Sequence, residues 1–325
     1  MESKYLNKHN KKVREQIERF VEGRKRLHGE DYFIMEYMID DIKNTFNTMI
    51  IVRDKFKKEQ PDVNLEELLK RKFPVWTDSV GRTMHDYIFY ERMTNDNLKI
   101  FYDGLYTIQR ILFLGDKYGS RGYWGGNTDS YIMINFRGGL AVYDKELVHA
   151  YLDQIPGPFD SGYPFYVSLA TSIYLVLKSK LREASNYLKE RLEMKRLTQY
   201  EHSILLCVKA IADRDELSFI SEINNTLKLY PRQHFYSNLA DYLSLEALGL
   251  YNLTTKVWGE TPTEPESEYW DHDFFTYIND SDHKPDFLID FSKLSPLFAK
   301  WIEKLPLELT ITDLIKDIEN SKSKW

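Results

Sequence analysis

Between Asp31 and Glu59 the apolar residues fall at Ile34, Met38, Ile42, Phe46, Met49, Val52 and Phe56, in steps of three and four. That spacing puts them on one stripe of a long amphipathic α-helix, because a strand would alternate at every second residue. The same periodicity recurs at Val13, Ile17, Phe20, Val21 and Leu27 within Asn10–His28, a segment that Gly29 ends. It recurs again between Thr77 and Gly115, read as two helices split near Thr94–Asn95, with Met84, Ile88, Met93, Leu98, Phe101, Leu105, Ile108 and Leu112 facing inward. Pro61 stops the Asp31 helix, and Asn64 is expected to cap a short helix whose Glu66 and Glu67 favour the positive N-terminal end.

The chain of 325 residues is 42% hydrophobic and 29% charged, a globular composition long enough for one large domain or two. Acidic residues outnumber basic ones by 50 to 44, and the net charge of −6 argues against sequence-blind nucleic-acid binding, which needs a dense cationic face. A single cysteine excludes an intrachain disulfide and four-thiolate zinc sites. No apolar run approaches the roughly 18 residues of a membrane span, and the polar start MESKYLNKHNKKVREQIERF lacks a signal-peptide core. The expectation is a soluble protein of the reducing cytoplasm, with no membrane contact and no direct contact with nucleic acid.

Seven of the 15 glycines lie between Gly115 and Gly139. Within that stretch Tyr131–Phe136 reads as a helix preceded by a loop, or as a strand turning at Gly138-Gly139 into Leu140–Tyr143; the helix is favoured. Asp144 then caps a helix through Ile155. Pro156-Gly157-Pro158 is the expected boundary, dividing an N-terminal helical bundle (1–155) from a C-terminal array (159–325) around one continuous core. Helices are expected over Pro164–Lys178, Leu181–Leu192, Thr198–Ala212, Asp215–Leu229 and Tyr236–Leu250, with a capping box at Thr198 and Glu201. Their short connections imply stacked antiparallel hairpins, although no fixed-period repeat is present. Residues 259–290 carry ten acids against Lys284 alone, a net charge of −9, and Pro262, Pro265 and Pro285 prevent a continuous helix there. Two final helices are expected around Leu294–Lys304 and Ile311–Glu319. The fold class is all-α.

Catalytic motifs are missing. There is no P-loop, no G-x-S-x-G elbow and no H-E-x-x-H, and the glycine-rich stretch Gly119–Gly126 reads as a surface loop. Glu146 and His149 have a di-iron spacing, but no second Glu-x-x-His accompanies them. Asp271-His272-Asp273 resembles a ligand cluster and reads more simply as a solvated acidic stretch. Cys207 lies on an apolar helix face and is expected to be inert. No catalytic residue, metal or cofactor is therefore expected. One enzyme pattern persists: Arg196 and His202 match the Arg-x(4–6)-His spacing of the all-helical HEPN ribonucleases, in which histidine moves protons and arginine stabilises phosphate charge. Leu197 occupies a place that family fills with a polar residue, and Arg196 falls outside the Thr198 helix.

Roughly from Pro164 to Leu253 the order of elements is more specific. A tyrosine-rich helix, Phe165-Tyr166-Val167-Ser168-Leu169-Ala170, precedes a helix opening with Glu201. An Ala-Ile-x-x-x-Asp turn follows at Ala210, Ile211 and Asp215, then a helix ending Leu229-Tyr230 and an alanine- and leucine-rich helix over Leu239–Leu250. This pattern resembles the immunity protein 49 family of bacterial polymorphic toxin systems. The resemblance implies an all-helical inhibitor that neutralises a cognate toxin domain by direct binding. Many such toxins are nucleases with basic clefts, so the acidic residues Glu264, Glu266, Glu268, Asp271, Asp273, Asp280 and Asp282 become the expected contact, steering association by mimicking a polyanion. The competing expectations are a HEPN-like ribonuclease and a helical-repeat adaptor.

Overall fold

The structure, a computed structural model, describes residues 3–118, 128, 131–154, 157, 159–194, 196–232, 238–305 and 310–322. The fold is all-α: the described residues form helices and no strand. None of these helices is long and apolar enough to cross a membrane. The chain divides into two compact units, one of residues 1–3, 17–124 and 285–325, the other of residues 4–16 and 125–284. This differs from the division expected at Pro156-Gly157-Pro158, which falls inside the second unit. A Pro-Gly-Pro turn stops a helix, but it does not decide which elements the flanking chain packs against. The loop expected over 119–126 and the prolines at 156 and 158 lie outside the described residues.

The first unit is built on α3 (Met35–Glu59), α4 (Leu65–Asn95) and α5 (Leu98–Tyr118), joined by most of α2 (Lys11–His28) and a 3₁₀ turn at Glu30–Phe33. The α3 stripe is buried as its spacing requires, through Met38, Ile42, Phe46, Met49 and Ile50. Asn64 accepts the Glu67 N–H at 3.2 Å and so caps α4. The short helix expected there and the next one are a single helix running through Pro74. An internal proline costs about 3 kcal/mol; here Phe73, Trp76, Val80 and Met84 bury on the same face and offset it. The Thr77 hydroxyl donates to the carbonyl oxygen of Pro74 at 3.0 Å.

The C-terminal residues belong to this unit because α5, α4 and α3 hold them by polar contacts far apart in sequence. Asp103 accepts the Asp286 N–H at 3.0 Å, and the Thr107 hydroxyl oxygen accepts the Leu288 N–H at 2.9 Å. Buried Arg110 donates to the carbonyl oxygens of Ile302 and Glu303, at the end of α13 (Pro296–Lys304). The Glu66 carboxylate accepts the N–H groups of Ile311 and Thr312 at 3.0 and 3.1 Å, where α14 (Ile311–Ser321) begins with its positive dipole end. Arg53 pairs with Glu319 on the same helix. Helices α4 and α5 approach closely at Gly104, where an added Cβ would lie 2.2 Å from Cγ2 of Ile88. Gly104→Ala is therefore expected to cost about 1–3 kcal/mol by overpacking in urea unfolding. That cost should shrink in an Ile88→Ala background; strictly additive losses would contradict the contact.

The second unit contains α1 (Lys4–Lys8), a π-helix (Tyr131–Leu140) and α6 (Lys145–Gln154), followed by α7 (Pro164–Leu177), α8 (Leu181–Arg191), α9 (Gln199–Asp213), α10 (Glu216–Leu229), α11 (Leu245–Trp258) and α12 (His272–Asn279). Consecutive helices from α7 to α10 contact one another, and α11 packs on the π-helix and on α9. Thr198 and Glu201 form the expected capping box. The helix expected over 236–250 is instead interrupted. A 3₁₀ turn covers Leu239–Tyr242, Leu243 is extended, and α11 starts after Ser244. The side chains of Asn238 and Ser244 each accept a backbone N–H, from Ala240 at 2.9 Å and Ala247 at 3.2 Å, so two caps compete with helix continuation. Residues 233–237 lie outside the described residues.

The segment 131–140 is a helix, of the wider π type, and not a hairpin. Gly249 of α11 lets its backbone approach: an added Cβ would meet the Phe136 carbonyl oxygen at 2.6 Å. Asn252 donates to the carbonyl oxygens of Leu140 and Ala141 at 2.8 and 3.1 Å, and Arg137 pairs with buried Glu246 at 2.6 Å. Burial, and after it the Glu246 carboxylate, holds the Tyr200 and Tyr230 hydroxyls protonated far above their ordinary range. Arg137→Met should cost about 3–5 kcal/mol in thermal unfolding by depriving a buried carboxylate of its cation. Adding Glu246→Leu should recover most of that loss; a double variant as unstable as the single one would show that the pair is not the cause.

Candidate functional site

The acidic segment of the second unit is folded, and the roles of its carboxylates differ. Asp271 is fully buried and caps α12 by accepting the Phe274 N–H at 3.2 Å. Glu264 accepts from Nε1 of Trp270 at 2.7 Å and bonds Nδ1 of His272 at 2.8 Å. Glu268 accepts the backbone N–H of Asn10 at 3.3 Å and lies 3.5 Å from Nδ1 of His9. Asp273 lies 3.5 Å from the Lys8 ammonium. Glu266, Asp280 and Asp282 are exposed, as is Glu260 nearby. Of the expected contact residues, Asp271 is therefore withdrawn from solvent into the structure, and the segment is not the unstructured solvated loop its composition suggests.

Aromatic side chains fix the backbone between these acids. The Tyr251 hydroxyl donates to the Thr263 carbonyl oxygen at 2.7 Å, and the Ser244 N–H donates to the Tyr269 carbonyl oxygen at 3.0 Å. Trp270 packs on Tyr251 and Phe275, with ring centroids at 4.6 and 5.0 Å. The N-terminal residues close the arrangement, because the Tyr5 hydroxyl donates to the Tyr242 carbonyl oxygen at 2.9 Å. Sequence reasoning missed this docking: the Lys8–Asp273 and Asn10–Glu268 contacts join residues 265 and 258 positions apart, and no local pattern marks them.

The other candidate residues are not drawn together. His202 lines a surface depression of about 420 Å³ with Leu197, Gln199 and Asn225, but Arg196 is exposed and is not among the lining residues. Glu146 and His149 are both exposed on α6. Among the described residues no three His, Cys, Asp or Glu side chains converge as metal ligands. Cys207 is fully buried, and burial pushes its thiol well above the ordinary range. Comparisons with protein-family models, with curated proteins and with solved structures returned no match.

His9 sits beneath the acidic segment with its side chain buried against the edges of the Tyr5, Tyr242 and Tyr269 rings. Burial is the largest influence and lowers its pKa below the ordinary 6.5; the Glu268 and Asp271 carboxylates oppose that shift and Lys8 reinforces it. The unfolded chain takes up this proton near its ordinary pKa while the folded chain resists. The stabilisation is thus fully present above about pH 6.5 and is lost progressively as pH falls towards the lower folded value. Thermal unfolding from neutral pH down to about pH 5 should show a steeper loss for the wild type than for His9→Gln. Equal slopes would refute the neutral, buried imidazole.

Proposed function

We propose that this chain is a stoichiometric binding protein of the immunity type, which neutralises a cognate toxin domain in the cytoplasm by covering a basic surface. The observation that carries this reading is the division of labour among the carboxylates of residues 260–282. Asp271, Glu264 and Glu268 hold the segment in place by internal hydrogen bonds, while Glu260, Glu266, Asp280 and Asp282 stand in solvent. An acidic segment held in one conformation loses less freedom on binding than a solvated loop, so more of its electrostatic attraction reaches the complex. Such an inhibitor needs no reactive side chain of its own. No geometric observation favours the ribonuclease or adaptor readings.

Glu266→Gln combined with Glu260→Gln and Asp282→Asn should leave the unfolding temperature unchanged. The same variant should slow association with the cognate toxin domain, sought in the product of the neighbouring gene, by about tenfold at low salt, with a smaller effect at high salt. Stopped-flow or surface-plasmon measurements read this directly. An unchanged association rate together with full protection of toxin-expressing cells would remove this surface as the contact, and failure to bind the neighbouring gene product at all would remove the immunity reading.

A further inference from the structure

The second unit contains a small cavity of about 180 Å³ bordered by the end of α7, the start of α8, the turn between α9 and α10, and the last turn of α11. Its walls are mixed. Val176, Leu177 and Leu181 supply apolar surface, Ser179 a hydroxyl, and Arg214 and Lys256 two cationic side chains; no carboxylate lines it. Arg214 adopts the left-handed conformation at φ 58° and donates through Nη2 to the Val257 carbonyl oxygen at 3.0 Å, which fixes one cation beside the cavity.

Lys256 differs from the other lysines around it. Among the described residues its ammonium has neither a hydrogen-bond nor an ion-pair partner, although the side chain is half-buried. Burial depresses its pKa, and the like charge of Lys145 depresses it further. No carboxylate is among the influences on it. Lys145 itself lies over the Tyr143 ring, 4.8 Å from its centroid. A half-buried lysine of the cavity wall, repelled by Lys145 and set beside apolar side chains, is stabilised by an anion that sits between charge and hydrocarbon wall. An inorganic oxyanion would meet the charge but leave the apolar wall unused.

We infer that this cavity binds a small carboxylate bearing a short aliphatic group, with the carboxylate ion-paired to Lys256 and Arg214 and the aliphatic group against Val176, Leu177 and Leu181. The chemistry is shared by free short-chain acids and by the C-terminal carboxylate of a peptide ending in an aliphatic residue. The site is independent of the acidic segment and of the immunity reading. Titration of the full chain with butyrate, with N-acetylvaline and with inorganic phosphate, followed by calorimetry, tests it. Saturable binding of a carboxylate probe, at least tenfold weaker in Lys256→Gln and at least tenfold weaker for phosphate, is expected. Tighter N-acetylvaline assigns a peptide terminus and tighter butyrate a free acid; equal affinities for the two support the class. On the wild-type chain, the same probe should protect Lys256 from reductive methylation, a readout that does not rely on the variant folding. No saturable binding, phosphate binding as tightly as either carboxylate, or binding that leaves Lys256 unprotected would overturn the assignment.

Discussion

A carboxylate removed from water must be supplied with donors or it costs several kcal/mol, and this chain meets that requirement repeatedly by using acids to hold its own backbone. In the first unit Glu66 accepts the opening N–H groups of α14, Asp103 accepts the Asp286 N–H, and Asp317 accepts the Leu297 N–H at 2.9 Å. In the second unit Glu246 holds the π-helix through Arg137, Asp271 caps α12, and Glu268 accepts the Asn10 N–H. Several of these contacts join the start of a helix to a side chain that is distant in sequence or withdrawn from solvent. Helix ends carry unsatisfied backbone groups and partial charges, so acids placed there both satisfy donors and complement the dipole.

This use of acid changes what the net charge means. An excess of carboxylates over residues 259–290 looks like a polyanionic surface when read as composition. Once the internally bonded members are set aside, the exposed acidic face is smaller, and Lys8 brings a cation to it from the N-terminus. What remains in solvent is displayed from a segment fixed by Tyr251, Trp270 and Phe275, so a partner meets a pattern of charge in a set geometry. In the proposed immunity role, selectivity for a basic cleft would depend on such a pattern more than on total charge.

Much of the helix inventory was legible in the sequence, because spacing and caps are local. The Met38–Ile42–Phe46 stripe, the Asn64 cap, the break at Thr94–Asn95 and the Thr198–Glu201 box all rest on residues within a few positions of one another. The short helix expected after Asn64 instead continues through Pro74, because the local penalty of an internal proline is outweighed by burial of Phe73, Trp76 and Val80, which only tertiary packing supplies. The helix read over 236–250 failed for the opposite reason: apolar periodicity hid the caps at Asn238 and Ser244.

The sequence by itself therefore determined the all-α class, most of the helices and the absence of familiar catalytic motifs, since each depends on short-range periodicity or on residue identity. The tertiary structure alone decided which carboxylates face solvent, where residues 285–325 pack, and how Tyr5, Lys8 and His9 come to lie against the acidic segment. Most of those outcomes arise from contacts between residues far apart in sequence, whose energies appear only when the chain has brought donor and acceptor together.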